Sequence, residues 1–163
     1  TAIEWLGILE NTMQIYLLKP YYPNITKRII RSPKLYFLDT GLASYLTKWG
    51  SADSLRMGNM AGAFFETFVV SEIIKSFLFR GIDPSIYYLR DKEGHEVDLV
   101  IEKDGLHLIE VKLTATIKPE YSDNLEYFSG KSDKFLTKSI LSLVDGKITA
   151  PGEVTYIPYT AIN

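Results

Sequence analysis

Three short runs with apolar alternation, joined by two turns that each end in glycine, occupy residues 85–113, and few folds can follow from that pattern. The runs are Ser85–Arg90, Glu96–Glu102 and Leu106–Leu113; the turns are Lys92-Glu93-Gly94 and Lys103-Asp104-Gly105. Connections this short join neighbouring antiparallel strands, so a three-stranded meander is predicted. A two-residue second turn would pair Asp98 with Val111. A three-residue turn closing on glycine, which tolerates a left-handed backbone, pairs Asp98 with Glu110 and Glu96 with Lys112. The second register is favoured. It gathers Val97, Leu99, Ile101, Ile109, Val111 and Leu113 on one apolar face, with His107 there near the turn as a structural residue.

A helix is expected to precede the meander over about Met60–Phe79. It is apolar nearly all round (Phe64, Phe65, Phe68, Val69, Val70, Ile73, Ile74, Phe77 and Leu78), which predicts burial. Glu66 shares a face with Gly62, Val69, Val70 and Ile73, and a carboxylate so placed needs a partner. After the meander come a helix around Glu120–Phe128, a strand over Lys134–Ser139 and a further strand at Glu153–Ile157. The polar stretch Ser51–Asn59 reads as the connection between a first segment, 1–50, and a second, 57–163.

The first segment reads as a helix (Thr1–Glu10, opened by a Thr1–Glu4 capping box), a strand (Ile15–Leu18), a basic loop, a strand (Lys34–Leu38) and a short helix capped by Asp39. Between Asn11 and Leu38 there is no acidic residue, while Lys19, Lys27, Arg28, Arg31 and Lys34 all fall inside. Helix, strand, basic loop, strand is the order of a winged helix from its recognition helix onward. That makes Lys27, Arg28, Arg31 and Lys34 the candidate nucleic-acid contacts; the alternative is a solvated basic loop. Tyr21, Tyr22, Tyr87 and Tyr88 could stack on bases or pack at the edge of the core.

Composition removes several chemistries. The 163 residues include no cysteine, which excludes disulfides, thiolate metal sites and thiol nucleophiles and fits a reducing cytoplasm. No apolar run is long enough for a membrane span. A net charge of −2 gives no global attraction to nucleic acid, so any such contact must be local. No Gly-x-x-x-x-Gly-Lys-[Ser/Thr] loop is present to bind ATP.

The favoured register sets Asp98 against Glu110, with Lys112 two residues on. Like charges directly opposite are destabilising unless something cationic lies between them. A divalent metal, Mg²⁺ or Mn²⁺, meets that need through carboxylate oxygens, and Lys112 would orient or deprotonate a water or stabilise charge on a phosphate. A Glu96–Lys112 cross-strand ion pair is the plain alternative. His95 could approach the site from the start of its strand, and Arg90 reads as an exposed ion pair or a phosphate contact.

Helix, meander, helix, strand, with Asp98 on the second strand and Glu110-Val111-Lys112 on the third, resembles the PD-(D/E)XK nuclease superfamily, the fold of restriction endonucleases. The resemblance implies an α/β restriction-endonuclease-like core and assigns Asp98, Glu110 and Glu66 to the metal and Lys112 to catalysis. Glu66 matches the glutamate that members often carry on the first helix, while Val97 stands where the superfamily's proline would be. Pro33-Lys34-Leu35-Tyr36-Phe37-Leu38-Asp39-Thr40-Gly41-Leu42, Phe65-Glu66, Tyr87-Tyr88-Leu89-Arg90-Asp91, Gly94-His95-Glu96-Val97-Asp98 and Ile109-Glu110-Val111-Lys112 resemble more closely the C-terminal region of a bacterial and archaeal family of AAA+ ATPases. That resemblance implies an upstream ATPase domain, which would bind ATP and mediate any oligomerisation. The winged helix would be only partly present here. The expected activity is Mg²⁺-dependent cleavage of DNA; the alternative is a non-cutting module that docks DNA or a protein onto the ATPase.

Overall fold

The computed structural model describes residues 1–21 and 32–162. These form five α-helices and eight strands: α1 (Ala2–Asn11), β1 (Ile15–Leu18), β2 (Lys34–Phe37), α2 (Thr40–Leu46), α3 (Ala52–Met57), α4 (Ala61–Leu78), β3 (Ile86–Arg90), β4 (Glu96–Glu102), β5 (Leu106–Val111), α5 (Asp123–Ser129), β6 (Phe135–Ser142), β7 (Ile148–Ala150) and β8 (Val154–Pro158). The architecture is mixed α/β. A six-stranded sheet runs in the order β3-β4-β5-β6-β8-β7, and β1 and β2 pair as a separate antiparallel ribbon. The meander β3-β4-β5 is antiparallel as its short turns require. The α5 crossover then brings β6 back parallel to β5, and β8 lies parallel to β6.

Each face of the sheet has its own core. On one side α4 lays Val69, Val70, Ile73 and Ile74 against Leu99, Val111 and Leu141. The same cluster takes Leu18, Tyr36 and Leu38 from the β1–β2 ribbon. On the other side Leu125 and Phe128 of α5 pack with Val100, Leu108, Ile140, Val154 and Tyr156. Neither face of the meander is left to water, so the division into one apolar and one chemical face is corrected: Val100, Leu106 and Leu108 are core residues too.

The β4–β5 register is the one favoured from sequence, with Leu99 opposite Ile109 and Glu102 opposite Leu106 across the turn 103–105. Asp104 takes the left-handed conformation (φ 53°) and Gly105 a φ of 146°. A β-bulge separates β4 from the simple alternation. Tyr87 pairs with Val100 and Leu89 with Val97, so Tyr88 alone faces both Asp98 and Leu99. The extra residue flips the parity of the strand, which is why Val97 joins the α5 core instead of sitting beside Leu99.

The first segment is not a detached appendage. Beyond the shared core, Tyr21 N donates to Tyr88 O (2.8 Å) and Tyr88 N to Lys19 O (3.1 Å), so the chain after β1 runs along the free edge of β3. α1 carries the predicted Thr1–Glu4 capping box, and Asp39 caps α2 by accepting from Leu42 N at 2.8 Å. The polar stretch 51–59 is not a simple connection. Ser51 and Ser54 exchange hydrogen bonds and start α3, a capping pattern visible in Ser51-x-x-Ser54. β6 runs three residues beyond the expected strand, to Ser142, and strand β7 was missed because Ile148-Thr149-Ala150 is too short to show a period.

Candidate metal and phosphate site

Four elements converge at the end of β4 and β5 where their pairing stops. The bulge places Asp98 there, and its Oδ2 accepts from Val111 N at 2.9 Å. Glu110, one residue before the end of β5, is 2% exposed, among the most buried side chains of the protein. Lys112 follows immediately and donates to Glu110 Oε2 at 2.9 Å. Glu66 reaches in from α4, where Tyr36 of β2 donates to its Oε1 at 2.6 Å. Asp98, Glu110 and Lys112, grouped by their spacing, and Glu66, added by the resemblance, are thus brought into one neighbourhood.

A second lysine completes the cluster. Lys34 Nζ lies 3.4 Å from Glu66 Oε1 and 3.7 Å from Asp98 Oδ1, and ion-pairs with Glu96 Oε1. Lys34, which the sequence grouped with the basic loop, therefore points into carboxylates and not outward. Glu96 also pairs with Arg90, so the ion pairs found are Arg90–Glu96–Lys34 and Lys112–Glu110, in place of the alternative Glu96–Lys112 pair. Lys27, Arg28, Arg31 and Tyr22 lie outside the described residues.

Electrostatics at the site follow from burial and like charge. Burial, and then the neighbouring Asp98 carboxylate, push the Glu110 carboxyl up to about 8; Lys112 opposes this and loses. Burial alone would lower Lys112, but Glu110 and, farther off, Asp98 and Glu66 raise it. Lys34 behaves alike: burial is outweighed by Glu66, Asp98 and Glu96. Both lysines are therefore cations at neutral pH, which favours charge stabilisation over proton abstraction for Lys112.

Among the described residues, one atom of this cluster is unsatisfied. Glu110 Oε1 is buried and meets no hydrogen-bond donor among the described residues, although Glu110 lies within hydrogen-bonding reach of Asp98. Two ionised carboxylates facing each other offer only acceptors, so a proton or a cation must lie between them. The residues present therefore fit a hard divalent cation held by Asp98 and Glu110, with Glu66 nearby.

The histidines stand elsewhere. His107 bonds through its ring nitrogens to Thr137 Oγ1 (2.8 Å) and Lys103 O (2.9 Å), a structural role. His95 stacks on Tyr127 with ring centroids 3.6 Å apart, beside Asp91 and Glu93. This trio has metal-ligand types and could hold an ion: its carboxylates carry hydrogen bonds, while His95 Nδ1 is buried without a hydrogen-bond partner, 3.4 Å from Asp91 Oδ2. Asp91 Oδ1 accepts from Glu93 N and His95 N, and Tyr127 OH donates to Asp91 and Glu93. Asp91 is thereby the staple of the β3–β4 turn. Sequence reasoning missed it, and Asp91 four residues before His95 across a glycine turn was the available signal. Tyr36 was missed as well; its place two residues after Lys34 on a strand set both on one face.

Comparison with known proteins gives a family and no activity. Residues 1–53 match a domain of unknown function (DUF8612), and residues 61–162 match another, DUF4143. Uncharacterized proteins of Mycobacterium bovis and Mycobacterium tuberculosis are each 33% identical over 118 residues, covering 71% of this chain. The chain spans 26% of the length of those relatives. No solved structure matches it. Among the described residues no helix is long and apolar enough to cross a membrane. With more than half of its residues matched, the chain belongs to the DUF4143 family of domains of unknown function.

Proposed function

We propose that this protein is a divalent-metal-dependent phosphodiesterase acting on DNA, with a restriction-endonuclease-like core. The observation that carries the reading is the buried Asp98–Glu110 pair, one oxygen unsatisfied, with the Lys112 cation beside it. The order α4, meander, α5, β6 supports the fold, and the order of motifs from Lys34 to Lys112 supports a module attached to an AAA+ ATPase domain.

Asp98 and Glu110 would hold Mg²⁺ or Mn²⁺, with Glu66 able to contribute through water. Bound there, such an ion supplies positive charge to a phosphate oxygen and lowers the pKa of a coordinated water. The chain's own groups do the rest. Val111 N fixes one Asp98 oxygen, so that carboxylate is oriented before any ligand arrives. Lys112 stays protonated and stabilises charge growing on the phosphate. Glu110 would have to be ionised to hold the cation, giving its proton to solvent. The Tyr36 hydroxyl holds Glu66 toward the cluster.

A second reading, a docking module without chemistry, draws on α1, whose residues are all at least partly accessible and whose Ile3, Trp5 and Ile8 are largely exposed (Trp5 67%). Mn²⁺ titration followed by cleavage of single- and double-stranded DNA separates the two. Metal binding and cleavage that both fail in Asp98→Asn, with cleavage alone failing in Lys112→Met, is the expected result. A folded wild type that binds no Mn²⁺ even with DNA present would overturn the nuclease reading.

A further inference from the structure

The β3–β4 turn gathers a second set of ligand-type side chains, none of them shared with the Asp98–Glu110 pair. Asp91 follows the last residue of β3, Glu93 lies in the turn, and His95 precedes the first residue of β4. Gly94, at φ 96°, lets the chain reverse there. One carboxylate oxygen from each acid and one imidazole nitrogen all lie within 4.8 Å of one another. Two acids at a turn say nothing by themselves about a ligand. The histidine does. Its Nδ1 is buried, meets no hydrogen-bond partner among the described residues, and stands 3.4 Å from Asp91 Oδ2.

Buried polar atoms are normally paired, so an orphaned ring nitrogen calls for an explanation. Zn²⁺ takes nitrogen and oxygen ligands at about 2.0–2.2 Å, which sets two ligand atoms of a tetrahedral ion about 3.4 Å apart. Nδ1 and Asp91 Oδ2 already have that separation. The surroundings hold both groups in place. Asp91 is 4% exposed, and Glu93 N and His95 N fix its Oδ1. The His95 ring stacks on Tyr127 with centroids 3.6 Å apart. Tyr127 OH donates to Asp91 Oδ2 at 2.7 Å and to Glu93 Oε2 at 3.0 Å, the outer-shell support that metal-binding carboxylates commonly have.

We propose that Asp91, Glu93 and His95 form a zinc site with three protein ligands and a fourth position left to water. The proposal stands apart from the nuclease reading, and ligand chemistry separates the two sites. Asp98 and Glu110 offer oxygen alone, which suits Mg²⁺ or Mn²⁺. An imidazole nitrogen favours Zn²⁺ or Co²⁺, both above Mn²⁺ in affinity for such ligands. Lys131 Nζ lies 3.9 Å from Asp91 Oδ2 and 3.5 Å from the centre of the Tyr127 ring, so its charge opposes the ion and limits the affinity. A bound ion would tie the end of β3 to the start of β4 and, through Tyr127, brace both against α5.

The test is titration with Co²⁺, whose visible absorption reports nitrogen ligation, followed by displacement with Zn²⁺. Wild type, Asp98→Asn, Glu93→Gln and His95→Phe are compared; the phenylalanine keeps a ring against Tyr127 and removes the nitrogen. Wild type should develop visible bands that Zn²⁺ abolishes and excess Mg²⁺ does not. Asp98→Asn should give the same spectrum, Glu93→Gln should bind more than about tenfold more weakly, and His95→Phe should show no bands. The proposal is overturned by absence of bands in wild type, by bands that survive in His95→Phe, or by undiminished affinity in Glu93→Gln. Bands lost in Asp98→Asn would assign the ion to the acidic pair and overturn it as well. Intact Co²⁺ bands in a wild type that neither binds Mn²⁺ nor cleaves DNA would defeat the nuclease reading alone. If His95→Phe is unfolded, nitrogen NMR of the histidine rings in wild type replaces it. Zn²⁺ must then shift His95 Nδ1; a shift confined to His107, or none, overturns the proposal.

Discussion

Glu110 ties stability to pH in a way that can be worked out from its surroundings. Its ordinary carboxyl value of 4.5 is pushed up to about 8 by burial and by Asp98. Between those pH values the native state holds a proton that the unfolded chain has lost. Its contribution is therefore fully present below pH 4.5 and falls as pH rises through 8, by about 1.4 kcal/mol for each pH unit, or about 5 kcal/mol in all. That total is a ceiling. Glu110→Gln removes the titration but keeps the shape, and its amide can donate to Asp98 as the protonated acid does. Urea unfolding followed by circular dichroism, in chelator-treated buffer at pH 5 and pH 9, measures the difference. The variant should gain about 2–5 kcal/mol relative to wild type between the two conditions. Parallel pH profiles for the two proteins would refute the argument, since they would mean Glu110 ionises normally in the fold.

Other predictions probe the frame around the site. Ile74, fully buried on the sheet-facing side of α4, should cost about 2–5 kcal/mol as Ile74→Ala, read as a lower urea midpoint with unchanged slope. Gly105→Ala should destabilise by about 1–3 kcal/mol: φ is 146°, and the new Cβ would lie 2.1 Å from Leu136 Cδ1. Because Leu136 is exposed and can move aside, the double variant with Leu136→Ala should recover only a small part of the loss in thermal melts. Asp91→Ala removes the acceptor of Glu93 N, His95 N and Tyr127 OH and should lower stability by about 1–3 kcal/mol, with faster hydrogen exchange at residues 93–95. The hydrogen bonds outweigh burial and hold the Asp91 carboxyl below its usual range, so its contribution is present above that range and is lost on acidification.

Much of this architecture could be read from residue order, and the exceptions have physical causes. The meander and its register were legible because a three-residue turn ending in Gly105 admits one pairing well. The long helix α4 was legible from apolar density. The bulge at Asp98–Leu99 was not: an extra residue leaves no mark in Glu-Val-Asp-Leu-Val, and it alone decides which core Val97 joins. The acidic pair and Lys112 followed from spacing within one hairpin. Lys34 did not, because its partners stand 32, 62 and 64 positions along the chain and only the packing of the β1–β2 ribbon against α4 and β3 brings them together. A lysine in a basic stretch reads as surface until the fold supplies its acids.

The ribbon β1–β2 has a mechanical consequence. Leu18 and Tyr36 are anchored in the α4 core, Lys19 and Tyr21 are stitched to Tyr88, and Lys34 is anchored among the acids, so the ribbon is a short rod that joins the N-terminal helix to the carboxylates. Excising residues 61–162 would remove the rod altogether, uncover Ile74 and Val70, and leave the acids facing one another without their tethered counter-ion.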